Sequence, residues 1–555
     1  MLVGWIRYGF GWLGWALARL RRRLRRPSPW VAFLVESPPP ELPAPAGPRW
    51  QRVVGLGRPP LSLRELRRQL LQVAAEPRVQ GAVIHIRPME LTAGQVDALR
   101  EVIAEFRAAG KRAACWASSY TGATYAVACA ADQVLVQPGG GVGPLGVARQ
   151  YTFLADALRW AGIEADFVQI SPYKTAADTL TRSGFTPEAR EMADWLADAA
   201  YAEQVTFLGR DRGLDAGAAR ALIDRSPFTD AQALEAGAVD GVVDEEELPA
   251  RLGGAVQPWQ DARRGLMPRR PRRPGRALGL IRVEGMIVDG RSRRPPPLPP
   301  LPLPLVTAEQ SGDLTVVRQA RRLAADRRVA AVVLWIDSGG GSATASEAMA
   351  AALRALAGQK PLVAAMGSVA ASGGYYVATP AQRVLAQPGT VTGSIGVLAG
   401  KLALGGLLER LLLNWQVVAR GEHAAMYAPV QPFREDERSR LRGAIERSYE
   451  LFLERVAAGR SSTPAQVDPI AGGRVWTGRQ ALERGLVDAL GGFEKAVAEA
   501  CRLGGIEEAD PAIREAGGGR DVAPVARGAA GALEHALALV TSLNRAWAWY
   551  LSPFI

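Results

Sequence analysis

A chain of 555 residues, 48% apolar and 22% charged, is too long for one compact core and too apolar to remain disordered, so two globular domains of roughly 220 to 250 residues are expected. Its cysteines, Cys115, Cys129 and Cys501, are too few for a disulfide framework and lack metal-ligand spacing, which places them in the core and leaves no metal or cofactor expected. The net charge of +12 is carried by arginine, in two runs: Arg19 to Arg26 beside an apolar segment, and Arg263 to Arg276 in a PRRPRRPGR linker. Lipid headgroups and solvent fit such runs, and no nucleic-acid partner is expected.

Residues 2–18, LVGWIRYGFGWLGWALA, are apolar and aromatic apart from Arg7. They predict a short membrane span or an interfacial helix with Trp5, Trp12 and Trp15 on one face. No basic n-region followed by a small-residue cleavage site marks a removed signal peptide. Because the arginines follow the apolar stretch, the positive-inside rule holds the body of the protein on the cytoplasmic side. A membrane-associating segment thus covers 1–26, followed by a repeat at 27–257, a basic Pro-rich linker at 258–276, a second repeat at 277–503 and a tail at 504–555. In that tail the segment from Leu533 to Ile555 reads as a docked helix.

The repeat shows in the elements. An apolar run at 30–36 matches one at 278–284, and QVAAEPRVQGAVIHI ending at Ile86 matches RLAADRRVAAVVLWI ending at Ile336. Each is a helix end, a turn and a continuous apolar strand of the kind covered on both faces. Helical runs follow (Gln95 to Ala109, Ala345 to Ala357), then short strands (Arg112 to Ala117, Pro361 to Met366), then a helix around Tyr125 or Tyr375. Units of this alternating kind predict two α/β domains from an internal duplication. Tyr125 pairs with Tyr375, Gln137 with Gln387, Pro138 with Pro388 and Gly146 with Gly396, all at a spacing of 250. The run LPPLPLPL at 298–305, overlapping the Pro-rich insertion 295–304, is a stiff polyproline insertion in the second copy.

Groups able to do chemistry are divided between the copies. The second has Asp337-Ser-Gly-Gly-Gly-Ser342 after its apolar strand, Ala371-Ser372-Gly373-Gly374 at a strand-to-helix turn, and Thr392-Gly393-Ser394 beyond. Glycines let the backbone approach a ligand, and a serine at a helix start has its Oγ near free amides, among them the Gly373 N–H. A serine hydroxyl needs a base. The histidines are only His85, His423 and His535, and none sits in a Ser-His-Asp pattern; His423, next to Ala424, is a minor candidate. Lysine occurs only at 111, 174, 360, 401 and 495. In an arginine-rich chain a retained lysine is notable, since a desolvated lysine accepts protons near neutral pH and arginine does not. Lys174 stands 52 positions after Gly122, the counterpart of Ser372, so pseudo-symmetry predicts that it approaches the serine.

The stretches DSGGGSATASE (337–347), MGSVAASGGYYVATPA (366–381), PGTVTGSIGV (388–397) and VWTGRQALERGLVDALGG (475–492) resemble the signal peptide peptidase A family, also called protease IV, in its long duplicated form. The resemblance covers about residues 30 to 503. It implies two tandem domains of the Clp protease/crotonase-like α/β fold, with Ser372 as nucleophile, Lys174 as general base and Ser394 as the hydroxyl that orients the lysine. The oxyanion hole maps to Gly373 with an N–H from Gly340 or Gly341. It further implies signal peptides or other unfolded apolar peptides as substrates, a ring- or bowl-like homo-oligomer such as a tetramer, and anchorage at a bacterial cytoplasmic membrane. For that membrane the family suggests the outer face, whereas the arginine cluster suggests the inner one. The first copy departs from the catalytic set: Arg87-Pro-Met-Glu-Leu-Thr92 faces the glycine turn, Gly122 faces Ser372 and Pro144 faces Ser394. Gly339 stands where the family usually has proline; the amides after it are kept. Rival readings are a crotonase-type acyl-CoA enzyme and a catalytically degenerate membrane scaffold.

Overall fold

The structure is a computed structural model that describes residues 2–23, 26–43, 60–269, 271, 275–294, 309–508, 510–516 and 521–522. The polyproline run, residues 270 and 272–274 of the arginine linker, His535 and the segment from Leu533 lie outside the described residues. Two compact units are formed. One comprises 1–148 with 197–275, and the other 149–196 with 276–555. The stretch 149–196, first-copy by sequence, therefore belongs compactly with the second copy.

In the first unit six strands are joined in parallel, with Arg112–Ala117 and Gly81–Ile86 at the centre of the order and Trp30–Val35 on the far side of Gly81–Ile86. The strand GAVIHI is almost wholly buried, as a run without polar alternation requires when helices cover the sheet. Helices Leu63–Ala74 and Ala93–Ala108 supply that cover through Leu66, Leu70, Val73, Ile103 and Phe106. Their starts are fixed by Ser62 and by a capping box between Thr92 and Gln95. The three cysteines are buried and unbonded, as expected.

The N-terminal helix Leu2–Arg23 is joined to this unit by Arg22, which donates two bonds of 2.7 Å to Glu76, and by Trp15, whose Nε1 donates to Pro268 O at 3.0 Å. Burial alone would raise the Glu76 pKa, yet the bonds from Arg22 and Arg78 hold it at about 2. No helix among the described residues is long and apolar enough to cross a membrane.

The second unit is built on the long strands Ala277–Val288, Val329–Gly341 and Leu362–Ala371, all parallel. Helices Asp313–Ala325 and Ala343–Ala357 pack on them through Leu323, Met349 and Leu353. Past residue 336 the strands continue with bulges, and Val391–Gly393 is added beside Val369–Ala371 and paired antiparallel with Val475–Thr477. A separate antiparallel pair joins Glu164–Gln169 to Leu398–Ala403. The duplication recurs in detail: Tyr125 donates its hydroxyl to Ala238 O and Tyr375 to Leu486 O, both at 2.7 Å and both buried.

Candidate active site

Ser372 sits between the strand Leu362–Ala371 and the helix Gly373–Ala378 with φ 53° and ψ −118°. Ser394, after the strand Val391–Gly393, has φ 51°. Such backbone disfavours side-chain-bearing residues and is held only where its surroundings over-determine it. Here the Ser372 N–H donates to Gly393 O at 2.9 Å, Tyr376 N–H donates to Ser372 O at 2.9 Å, and Ser394 N–H donates to Arg474 O at 2.7 Å. A Cβ on Gly374 would lie 2.3 Å from Ser338 O, so the turn closes against the 338–341 backbone only with glycine there.

That backbone carries the amides. The Gly340 N–H is taken by Ser338 Oγ at 3.1 Å, and Ser338 Oγ itself donates to Gly285 O. The Ser342 N–H donates to Ile287 O at 3.0 Å. Successive amides along a strand face opposite sides, which turns the Gly341 N–H away from Ala277–Val288. Gly341 N lies 3.1 Å from the place a Cβ on Gly373 would occupy, so the Gly341 and Gly373 backbones are in direct contact. Asp337 ties this loop to the next strand by accepting the Val369 N–H at 3.0 Å; burial raises its pKa to about 6.

Lys174 reaches the same place from the 149–196 stretch. Its Nζ lies 3.2 Å from Ser372 Oγ, 2.8 Å from Ser394 Oγ and 2.8 Å from Ser394 O. It is 5% exposed, and burial lowers its pKa to about 7. Three supports hold it. Ser171 Oγ donates to Gly472 O. Gly473 packs so closely that a Cβ there would lie 2.5 Å from Lys174 Cα, while its N–H donates to Ile395 O at 2.8 Å. Tyr173 stacks on Trp195 at 6.4 Å and Trp195 on Trp476 at 4.8 Å, with Arg474 and Arg484 capping the two ends and Trp195 Nε1 donating to Val475 O.

All six residues singled out in the sequence, Ser372, Lys174, Ser394, Gly373, Gly340 and Gly341, are thus brought together within one compact unit. His423 is elsewhere occupied: its ring lies 3.4 Å from Asp436 and 3.7 Å from Glu422, and near Arg434. His85 packs edge-on to Trp116 and lies 3.7 Å from Glu245, a partner that sequence did not reveal. The Tyr173–Trp195–Trp476 stack, Gly473 and the tie at Asp337 also escaped sequence reasoning. Only the paired glycines at 472 and 473 gave a signal.

A strained serine at a strand-to-helix turn, a desolvated lysine against its hydroxyl and adjacent glycine amides define, on an α/β scaffold, a hydrolase-like site of the serine class. Comparison with known proteins narrows this. Peptidase family S49 matches twice, over residues 105–257 and 354–507, and the chain belongs to that family, which it carries in duplicate. Its relatives include "Serine protease SPPA, chloroplastic" of Arabidopsis thaliana, 30% identical over 460 residues that cover 79% of this chain and 65% of the relative. "Protease 4" of Haemophilus influenzae is 28% identical over 461 residues (78% and 71%), and "Protease 4" of Salmonella typhi 28% over 472 residues (80% and 72%). The chain therefore spans just under two thirds of the Arabidopsis relative's length. The resemblance read from the motifs is borne out.

Proposed function

We propose that this chain is a serine endopeptidase in which Ser372 is the nucleophile and Lys174 the general base. The observation that carries this is the set of three contacts at Lys174 Nζ. A neutral amine has two N–H donors and one lone pair. Ser394 O can only accept, and Ser394 Oγ accepts the second N–H, which leaves the lone pair for the Ser372 hydroxyl. Ser394 is in this way the orienting group. With a pKa of about 7 the lysine is substantially neutral at physiological pH.

Ser372 Oγ attacks a peptide carbonyl while its proton passes to Lys174. The oxyanion is received by the N–H groups of Gly373 and Gly341, since the Gly340 N–H is already given to Ser338. Lys174 then protonates the leaving amine, and an ester remains on Ser372. Water attacks that ester, Lys174 takes its proton, and the acid departs from the restored hydroxyl. The parallel sheets and their covering helices support reading both units as Clp protease/crotonase-like. Kinship with proteins named as proteases supports peptide bonds as substrate, and we extend this to unfolded apolar segments, cleaved signal peptides among them.

The N-terminal helix supports work at a membrane surface. Phe10, Leu13, Leu17 and Leu20 are exposed at helical spacing on one face, and arginines follow. We therefore place the protein at the surface of the bacterial cytoplasmic membrane. The test is cleavage of an unstructured apolar peptide by detergent-solubilised protein. Ser372→Ala and Lys174→Arg are expected to lower kcat by about a thousandfold or more, with His423→Ala unchanged. An active Lys174→Arg variant would contradict the lysine's role. A wild type inactive on every such peptide would favour a scaffold.

A further inference from the structure

At a spacing of 248, which aligns Thr229 with Thr477 and Val239 with Val487, the helix Ala216–Arg225 of the first copy faces residues 464–473 of the second. The second copy breaks that helix. The short helix Pro464–Val467 is followed by one turn of 3-10 helix, Asp468–Ile470, and then by Gly472 and Gly473, whose φ of 64° and 94° suit glycine. The broken segment is joined to both parts of the chain that touch the lysine amine. Gly472 O accepts from Ser171 Oγ, and the Lys174 N–H donates to Ser171 O at 3.1 Å. On the other side the Gly473 N–H donates to Ile395 O, and Arg474 O accepts from the Ser394 N–H. One turn therefore sets the position of Nζ and of the two Ser394 oxygens it meets.

Breaking a helix strands N–H groups, and each must be paired again. Within 471–474 the N–H groups of Ala471, Gly473 and Arg474 go to the backbone, at Asp468 O, Ile395 O and Ala471 O. The Gly472 N–H goes instead to a side chain, the Tyr449 hydroxyl, at 2.9 Å, and that hydroxyl donates in turn to Asp468 Oδ1 at 2.5 Å. Tyr449 stands half-buried on the long helix Glu435–Gly459. Burial, with the bond to Asp468, raises its pKa, so it keeps its proton. The tyrosine itself is common to both copies, its counterpart being Tyr201. The counterparts of Asp468 and Gly472 are Arg220, which has no acceptor, and Asp224, which lies inside a helix. Both bonds thus belong to the copy whose turn holds the lysine, and the fold of the other copy does without them.

We propose that Tyr449, oriented by Asp468, is a positioning residue for the reaction: it fixes the 471–474 turn and, through that turn, the reach of Lys174 Nζ to Ser372 and Ser394. This rests on the reading of Lys174 as general base. Without the hydroxyl the Gly472 N–H turns to water, and the turn that packs on Lys174 loosens. Burial alone lowers the lysine's pKa. Its amine meets the hydroxyls of Ser372 and Ser394 and the Ser394 carbonyl, and no charged group contributes. Water admitted beside the amine therefore moves that pKa back toward the ordinary lysine range, and less of the lysine is neutral at pH 7.

The test is the pH profile of kcat/KM for the full chain in detergent, on a peptide with no ionisable group. Tyr449→Phe keeps the ring that packs on the core. It should lower kcat at pH 7 by about tenfold with KM within about twofold of wild type. Its acid limb should move up from near 7 by about half a pH unit or more, so that the deficit narrows at pH 9. Asp468→Ala, at an exposed position, should move the limb the same way by less, and Asp468→Asn, which keeps an acceptor for the hydroxyl, should return most of the way to wild type. A purely structural role would lower activity equally at every pH. An unmoved limb in Tyr449→Phe overturns the proposal whatever its kcat, and if that variant does not fold, an unmoved limb in Asp468→Ala overturns it instead. Lys174→Arg separates the two claims. If it is inactive and the limbs of the other variants stay in place, the base stands and the anchor falls; if it is active, both fall.

Discussion

The strands Gly81–Ile86 and Val329–Gly341 begin alike, as apolar runs buried on both faces, and part company after their shared isoleucine. In the first copy Arg87-Pro88 comes next, and a proline without an N–H ends the ladder. In the second, Asp337-Ser-Gly-Gly-Gly continues it for five residues that pair on one side and meet Gly373 on the other. The neighbouring strands differ in the same way: Arg112–Ala117 stops at 117, whereas Leu362–Ala371 runs on to Ser372. The site of the second copy is therefore an extension of a strand framework that both copies share. In the first copy the helix after the shorter strand starts with an ordinary capping box at Thr121, with no strained residue at the turn.

That contrast can be attacked at the extension itself. Gly341→Pro removes the N–H assigned to the oxyanion and, because proline cannot adopt the φ of 153° held there, also re-aims the turn; it should lower kcat by about a hundredfold or more, with a much smaller change in KM. An equal loss in KM alone would mean the loop only binds substrate. A smaller effect is expected one layer away, where Gly473→Ala forces a Cβ toward Lys174 Cα. Activity should fall by about ten- to a hundredfold with the fold retained by circular dichroism, because an ångström of displacement at the amine breaks its alignment with Ser372.

The mildest effect is on stability. Unfolded, Lys174 titrates near 10.5, and folded near 7, so between those values the unfolded chain holds a proton that the folded chain lacks. Stability from this group thus rises with pH across that window, and the cost of burying it is greatest below 7. Lys174→Met should melt higher than wild type at pH 6, by a margin that shrinks toward pH 10 in thermal melts. A pH-independent margin would place the effect in packing instead.

Much of this was legible in the chain. The duplication fixed the elements, because a period of 250 aligns apolar strands whatever their surroundings, and it singled out Ser372 and Lys174 by what the other copy lacks. The hidden part comes from contacts between residues far apart in sequence. Nothing local says that Trp195 will stack on Trp476, or that 149–196 will belong compactly with 276–555. Which glycine amide is free depended on Ser338, whose hydroxyl takes the Gly340 N–H only in the folded turn. For residues 2–18 the structure adds that no described helix is long and apolar enough to cross a membrane.

The most direct test of a neutral lysine serving Ser372 is the pH dependence of kcat/KM on a peptide with no ionisable group, which reports the free enzyme. Activity should rise with pH through an acid limb centred near 7, the value that burial gives Lys174. A limb displaced to the ordinary lysine range near 10, or a flat profile from pH 5 to 9, would contradict the account.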